Sequence, residues 1–139
     1  MLVGTYEHSM DDKSRLVLPR AFLDHFGTGG YVTKGVDRCL TLLTQQVFDE
    51  ESQTRFEAAK SGTAAQRNAA RVFNASAQNF TLDKARRIVI PPGLREYAGL
   101  DHSCVVIGSY DRVEVWDADA WAEISTTGDL NLAEPEAAS

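Results

Sequence analysis

The chain repeats itself, and this limits the folds open to it more than any other feature. Residues 10–27, MDDKSRLVLPRAFLDHFG, align without gaps to residues 82–99, LDKARRIVIPPGLREYAG. Asp11 matches Asp83, Arg15 matches Arg87, Pro19 matches Pro91 and Gly27 matches Gly99. The branched apolar triplet Leu16, Val17, Leu18 matches Ile88, Val89, Ile90. With an offset longer by two residues, GVDRCLTLL (35–43) resembles GSYDRVEVW (108–116), pairing Asp37 and Arg38 with Asp111 and Arg112. A unit duplicated within 139 residues predicts a compact body built from two similar, tightly fused halves.

Each copy reads as strand, strand, short helix, strand, strand, helix. RLVLP and RRIVIP are branched apolar runs stopped by proline, the pattern of short buried strands. Pro19 and Pro91 suit the first turn of a helix, where a missing N–H costs nothing. Gly27 and Gly99 then fit as C-terminal caps. YVTK pairs with RCLTLL, and CVVIG with RVEVW, across turns containing Gly, Asp and Arg. Between the copies, Thr44 caps a helix carrying Val47, Phe48 and Phe56 on one side. Ser61 and Gly62 break it, and Thr63 with Gln66 forms a capping box that opens a second helix through Val72 and Phe73. The resulting division is a first repeat over 1–60, a helical connection over 61–76, a second repeat over 77–125, and an acidic, disordered tail over 126–139.

The net charge of −6 argues at first against a nucleic-acid partner. Its distribution weakens that argument. Residues 113–139 hold seven acids (Glu114, Asp117, Asp119, Glu123, Asp129, Glu134, Glu136) and no Lys or Arg, leaving 13 acids against 14 bases elsewhere. Local patches, not the sum, decide binding. No stretch approaches the ~20 consecutive apolar residues of a membrane span, and the first residues lack a basic segment followed by an apolar core. The expected location is the cytoplasm. Cys39 and Cys104 lie in apolar runs and read as buried small hydrophobes. With no CxxC and no His pair at ligand spacing, neither a metal site nor another cofactor is expected. His8, His25 and His102 sit in unrelated contexts, with no nucleophile motif, P-loop or dinucleotide fingerprint, so an enzyme is not expected. Trp116 and Trp121 read as core.

The most informative segments are 11–15 (DDKSR) and 83–87 (DKARR), each D-x-x-x-R before a strand. One such motif means nothing, because an Asp–Arg pair near a turn is ordinarily a surface salt bridge worth ~0–1 kcal/mol. Two copies inside a repeat, each followed by an apolar triplet and a proline, and the first of them after GTYEH, are specific. Here the chain resembles MraZ proteins of the AbrB/SpoVT/MazE-like superfamily, from GTYEHSMDDK through both motifs to VEVWDADAWAEI. The resemblance implies an α+β, mainly β fold: two pseudo-twofold-related swapped-hairpin β-barrel repeats with short flanking helices and both motifs on one face. It also implies a DNA-binding transcriptional regulator, associated with the nucleoid, that binds G-rich direct repeats upstream of its own cell division and cell wall (dcw) cluster. The implied assembly is a homo-oligomeric ring of eight to twelve subunits, whose linked motifs would gain avidity.

The motif chemistry suits that expectation. An arginine fork donates two hydrogen bonds to guanine O6 and N7, and a carboxylate four residues earlier holds the fork in place. Arg15 and Arg87 are therefore expected to touch DNA, reading bases or gripping phosphates. Asp11 and Asp83 orient them or shape the turn. Lys13, Arg20, Lys84 and Arg86 add phosphate contacts. The sequence departs from the family pattern where glycine usually precedes the motif arginine: Ser14 and Arg86 stand there, a strained choice if the turn needs φ > 0. The rival reading is a protein-interaction module, antitoxin-like or an inhibitor of the ribosomal RNA methyltransferase encoded beside it, using the acidic C-terminal segment.

Overall fold

The computed structural model describes residues 1–138. The first copy contributes β1 (Thr5–Ser9), β2 (Arg15–Val17), α1 (Leu23–Phe26), β3 (Gly29–Lys34), β4 (Leu40–Leu43) and α2 (Gln45–Lys60). After α3 (Ala64–Ser76), the second contributes β5 (Gln78–Thr81), β6 (Arg87–Val89), α4 (Pro92–Ala98), β7 (Ser103–Ser109), β8 (Arg112–Asp117) and α5 (Ala118–Ala133). This is the element order the repeat implies. The helix signals also hold. Thr44 Oγ1 accepts from the Val47 N–H at 3.2 Å, and Thr63 and Gln66 form the capping box of α3. Gly27 and Gly99 close α1 and α4 at φ of 61° and 63°, where a side chain would be strained. The prolines sit one place earlier than expected: Pro91 is the N-cap of α4, and Pro92 takes the first helical position.

The pairing is what builds one body from two copies. Six antiparallel strands run in the order β1-β7-β8-β4-β3-β5, and β2 pairs separately with β6. The order is a palindrome under exchange of the copies. The first strand of each copy lies against the other copy's hairpin, β1 on β7 and β5 on β3. The hairpins meet through β4 and β8.

Both faces of the six-stranded sheet are covered. On one face Leu40, Leu42, Val106, Val113 and Val115 pack with Leu16, Leu18, Ile88 and Ile90 of the two motif strands and with Phe22 and Leu94. On the other, Val105, Ile107 and Trp116 pack against Trp121 of α5. On that same side Phe48 of α2 stacks between Tyr31 of β3 and Phe73 of α3. Covering both faces explains why residues 104–107 of β7 are buried without alternation. The β2–β6 ribbon thus caps one side of the molecule, and α2, α3 and α5 cap the opposite side.

Three expectations need correction. The fold is mixed rather than mainly β, with ~47% helix against 29% strand, because the covering layer holds helices of 16, 13 and 16 residues. The stretch from Thr126, expected to be disordered, continues α5 to Ala133 and then forms a 3-10 turn at Pro135–Ala138; Ser139 lies outside the described residues. Phe56 does not share the packed side of α2 with Phe48 but is exposed.

Candidate nucleic-acid interface

The two D-x-x-x-R segments fold into the same turn. In the first, Asp11 Oδ1 accepts from the backbone N–H groups of Lys13 and Arg15, each at 2.9 Å. Its other oxygen accepts from Arg15 Nε at 2.7 Å. In the second, Asp83 Oδ1 accepts from Ala85 and Arg87, each at 2.9 Å, and Oδ2 from Arg87 Nε at 2.8 Å. Each carboxylate therefore shapes its turn and holds its arginine at once, so the two roles left open for the aspartates coexist. The carboxylate takes the Nε edge and not the fork. Among the described residues, the terminal nitrogens of Arg15 and Arg87 carry no hydrogen bond, leaving an end-on pair of donors on each.

The ribbon aims both arginines the same way. Arg15 lies opposite Val89, Leu16 opposite Ile88 and Val17 opposite Arg87. Side chains alternate along a strand and cross-strand partners share a face. The central Leu16 and Ile88, each 1% exposed, point into the core, so Arg15 and Arg87 share the outward face as a diagonal pair roughly 7–8 Å apart. Their side chains are 28% and 33% exposed, neither sealed inside nor free. The copies also lock each other's turns, since Ile90 donates to the Ser14 carbonyl and Leu18 to the Arg86 carbonyl, both at 2.8 Å.

The remaining cations are spread unevenly around this face. Lys13 and Lys84 are exposed on the turns, Arg86 is half-buried beside Arg87, and none of the three forms an ion pair among the described residues. Arg20 stands apart, exposed beyond Pro19 in the 3-10 turn Arg20–Phe22, with no bond joining it to either motif. Carboxylate-rich α5 packs on the opposite side of the sheet. The net negative charge is thereby kept away from the ribbon. Sequence reasoning missed the orientation of Val17 and Val89, the middle residues of the triplets read as wholly buried. Two-residue alternation was the available signal.

Ser14 and Arg86 take φ of 61° and 62°, so the position that favours glycine is left-handed in both copies. A side chain there costs about 1–2 kcal/mol, against about 0.5–1 kcal/mol of extra unfolded-state entropy for glycine. Arg86→Gly should therefore raise stability by up to about 1 kcal/mol in denaturant unfolding. A destabilised variant would contradict the strain. Ser14 is a poorer test, because its Oγ accepts from Arg95 Nη1 at 2.6 Å.

The backbone N–H of Arg15 holds the Asp11 carboxyl below its usual range, opposed by desolvation and aided by the arginine side chain. The Arg87 N–H does the same for Asp83. A carboxyl with a lower pKa folded than unfolded stabilises the turn above the unfolded value of about 3.9. That contribution disappears as pH falls through the lower native value. The amide resonances of Arg15 and Arg87 should thus titrate with midpoints below about pH 3.9, and Asp11→Asn and Asp83→Asn should remove the respective steps. A midpoint above that value contradicts the turn.

Cys104, Cys39 and His25 sit in packed surroundings. Cys39 and Cys104 are buried and free, and burial pushes the Cys104 thiol up to about 11. His25 stands edge-on to Phe26. Burial, then the nearby Arg86 charge, lowers the His8 pKa. No helix of the described residues is long and apolar enough to cross a membrane.

Comparison with known proteins relates the chain to one family. The family model described as "MraZ protein, putative antitoxin-like" matches the chain twice, over residues 1–72 and 73–139. The chain is similar to the transcriptional regulator MraZ of Clavibacter michiganensis subsp. michiganensis, 42% identical over 134 residues, covering 96% of this chain and 93% of that protein. It is 40% identical over 134 residues to the regulator of that name in Thermobifida fusca, with coverage of 96% and 93%. The counterpart in Salinispora tropica is 43% identical over 121 residues, covering 87% and 84%.

Proposed function

This chain belongs to the MraZ family, and we propose that it is a transcriptional regulator, not an enzyme, whose β2–β6 ribbon binds double-stranded DNA in a sequence-specific way. One observation carries the reading: two arginines, each fixed through Nε by its own aspartate, face outward together, and their terminal nitrogens have no partner among the described residues. Fixed donors lose little freedom on binding, and an end-on guanidinium matches either guanine O6 and N7 or a phosphate. Lys13, Lys84 and Arg86 supply phosphate contacts around that pair; Arg20 lies at the margin.

The site we propose is a set of G-rich direct repeats upstream of the protein's own dcw cluster, bound in the cytoplasm at the nucleoid. The crossed strand pairing supports the swapped-hairpin description of the two repeats. A ring of eight to twelve copies would present successive ribbons to successive repeats, so modest affinities combine. Exposed Phe56, Val72 and Leu130 on the helical side offer apolar surface for subunit contacts away from the ribbon. The acidic face of α5 is the surface we assign to a protein partner, such as the methyltransferase encoded alongside.

The test is retention of DNA from the upstream region over a salt series. Log affinity should fall linearly with log salt, with a slope of about −0.9 for each phosphate neutralised. Affinity independent of salt would remove the ribbon from the account.

A further inference from the structure

The motif arginines do not occupy the ribbon face alone. Leu16, Leu18, Ile88 and Ile90 are buried, but the middle residue of each triplet turns outward, with Val89 60% exposed and Val17 half-buried. The register sets Val89 directly across from Arg15, and Val17 across from Arg87. The Cβ atoms of such cross-strand pairs stand about 4.5–5.5 Å apart on one face. The repeat has thus placed a branched apolar side chain beside a fixed guanidinium twice, on the face with the least use for it in packing.

We infer that Val89, with the less exposed Val17 as its weaker counterpart, determines sequence specificity by packing on the C5-methyl of a thymine next to the group held by Arg15. This rests on the DNA reading above. Thymine alone presents a methyl in the major groove, which is wide enough to admit a two-stranded ribbon. An isopropyl group has no hydrogen bond to offer, so the cytosine amino group would lose its water without gaining a partner. Because Val89 and Val17 differ in exposure, the two halves of the ribbon prefer different bases despite sharing the motif. The contact surface is then directional, as suits a site without dyad symmetry.

The experiment begins by selecting duplexes from a random library with the full chain. The retained sequence is remade with deoxyuridine replacing thymidine one position at a time, which deletes only the C5-methyl. At one position beside a guanine, the wild-type protein should lose about fourfold in affinity, the factor expected for burying one methyl-sized group. Val89→Ser should bind the thymidine and deoxyuridine duplexes alike while keeping the wild-type salt slope, and Val89→Thr, which retains one methyl and the branching suited to a strand, should show an intermediate loss. Indifference of the wild-type protein to deoxyuridine at every position overturns the inference and leaves the DNA reading standing. So does a fourfold loss that persists undiminished in both variants. Failure to retain any duplex at low salt would sink the DNA reading itself, and this inference with it.

Discussion

Replacing Arg15 and Arg87 together with alanine should abolish sequence-specific DNA binding and leave the fold intact. Each end-on guanine contact carries about 1–3 kcal/mol of discrimination, so losing two predicts a drop between about 30-fold and 10⁴-fold for the preferred sequence. Non-specific retention should fall less, since Lys13, Lys84 and Arg86 remain. The fold should tolerate the change. Both arginine side chains are partly exposed, ion pairs of this kind contribute only ~0–1 kcal/mol, and the Asp11 and Asp83 bonds to backbone N–H groups persist. The single variants should fall between, and unequally, because Arg86 lies beside Arg87 while Ser14 lies beside Arg15. Quantitative footprinting reads the affinity, and melting and light scattering read the fold and assembly. A double variant that binds its site normally would refute the assignment. One that unfolds would show that the arginines are structural.

The second large effect concerns the halves of the chain. Neither residues 1–72 nor residues 73–139 should fold as a monomer, although a family model matches each. Four of the six strand pairings, β1 with β7, β2 with β6, β3 with β5 and β4 with β8, join one copy to the other. A separated half keeps one hairpin, and an isolated hairpin is marginal in water at best. It would also expose Leu16 or Ile88, whose removal from such a core ordinarily costs about 2–5 kcal/mol even as a single truncation to alanine. Each fragment should lack a cooperative melting transition at low concentration, and mixing the two should restore it. A fragment that does order should do so as a homodimer, since each copy's surfaces are nearly complementary to themselves. A monomeric half with a sharp melting transition would contradict the crossed topology.

Local features of this fold were legible in the sequence, and long-range ones were not. Asp11 and Asp83, the capping box at Thr63, and the stops at Gly27 and Gly99 act within four residues of their partners, so pattern alone locates them. The exchange of β1 and β5 depends on pairing across some 100 and 50 residues respectively, and no local signal encodes it. The middle valines were misread because a strand stopped by proline looks wholly buried when its alternation spans only three residues. The C-terminal stretch was misread for the opposite reason. Its acids and alanines resemble a solvated tail, yet Asp117 caps α5 through the Ala120 N–H and Trp121 anchors it against Trp116, with ring centroids 5.7 Å apart. The arrangement of the site itself was half visible. The spacing of Asp and Arg showed that they meet; only the structure shows that the carboxylate grips Nε and leaves the fork outward.

The most direct test is to titrate the isotopically labelled protein with its upstream duplex and follow the arginine side-chain resonances and strand amides by NMR. A DNA-binding ribbon requires the Nη groups of Arg15 and Arg87 to shift together, with the amides of residues 15–17 and 87–89, while α5 stays unchanged. Shifts confined to α2, α3 or α5, with both arginines unmoved, would contradict it.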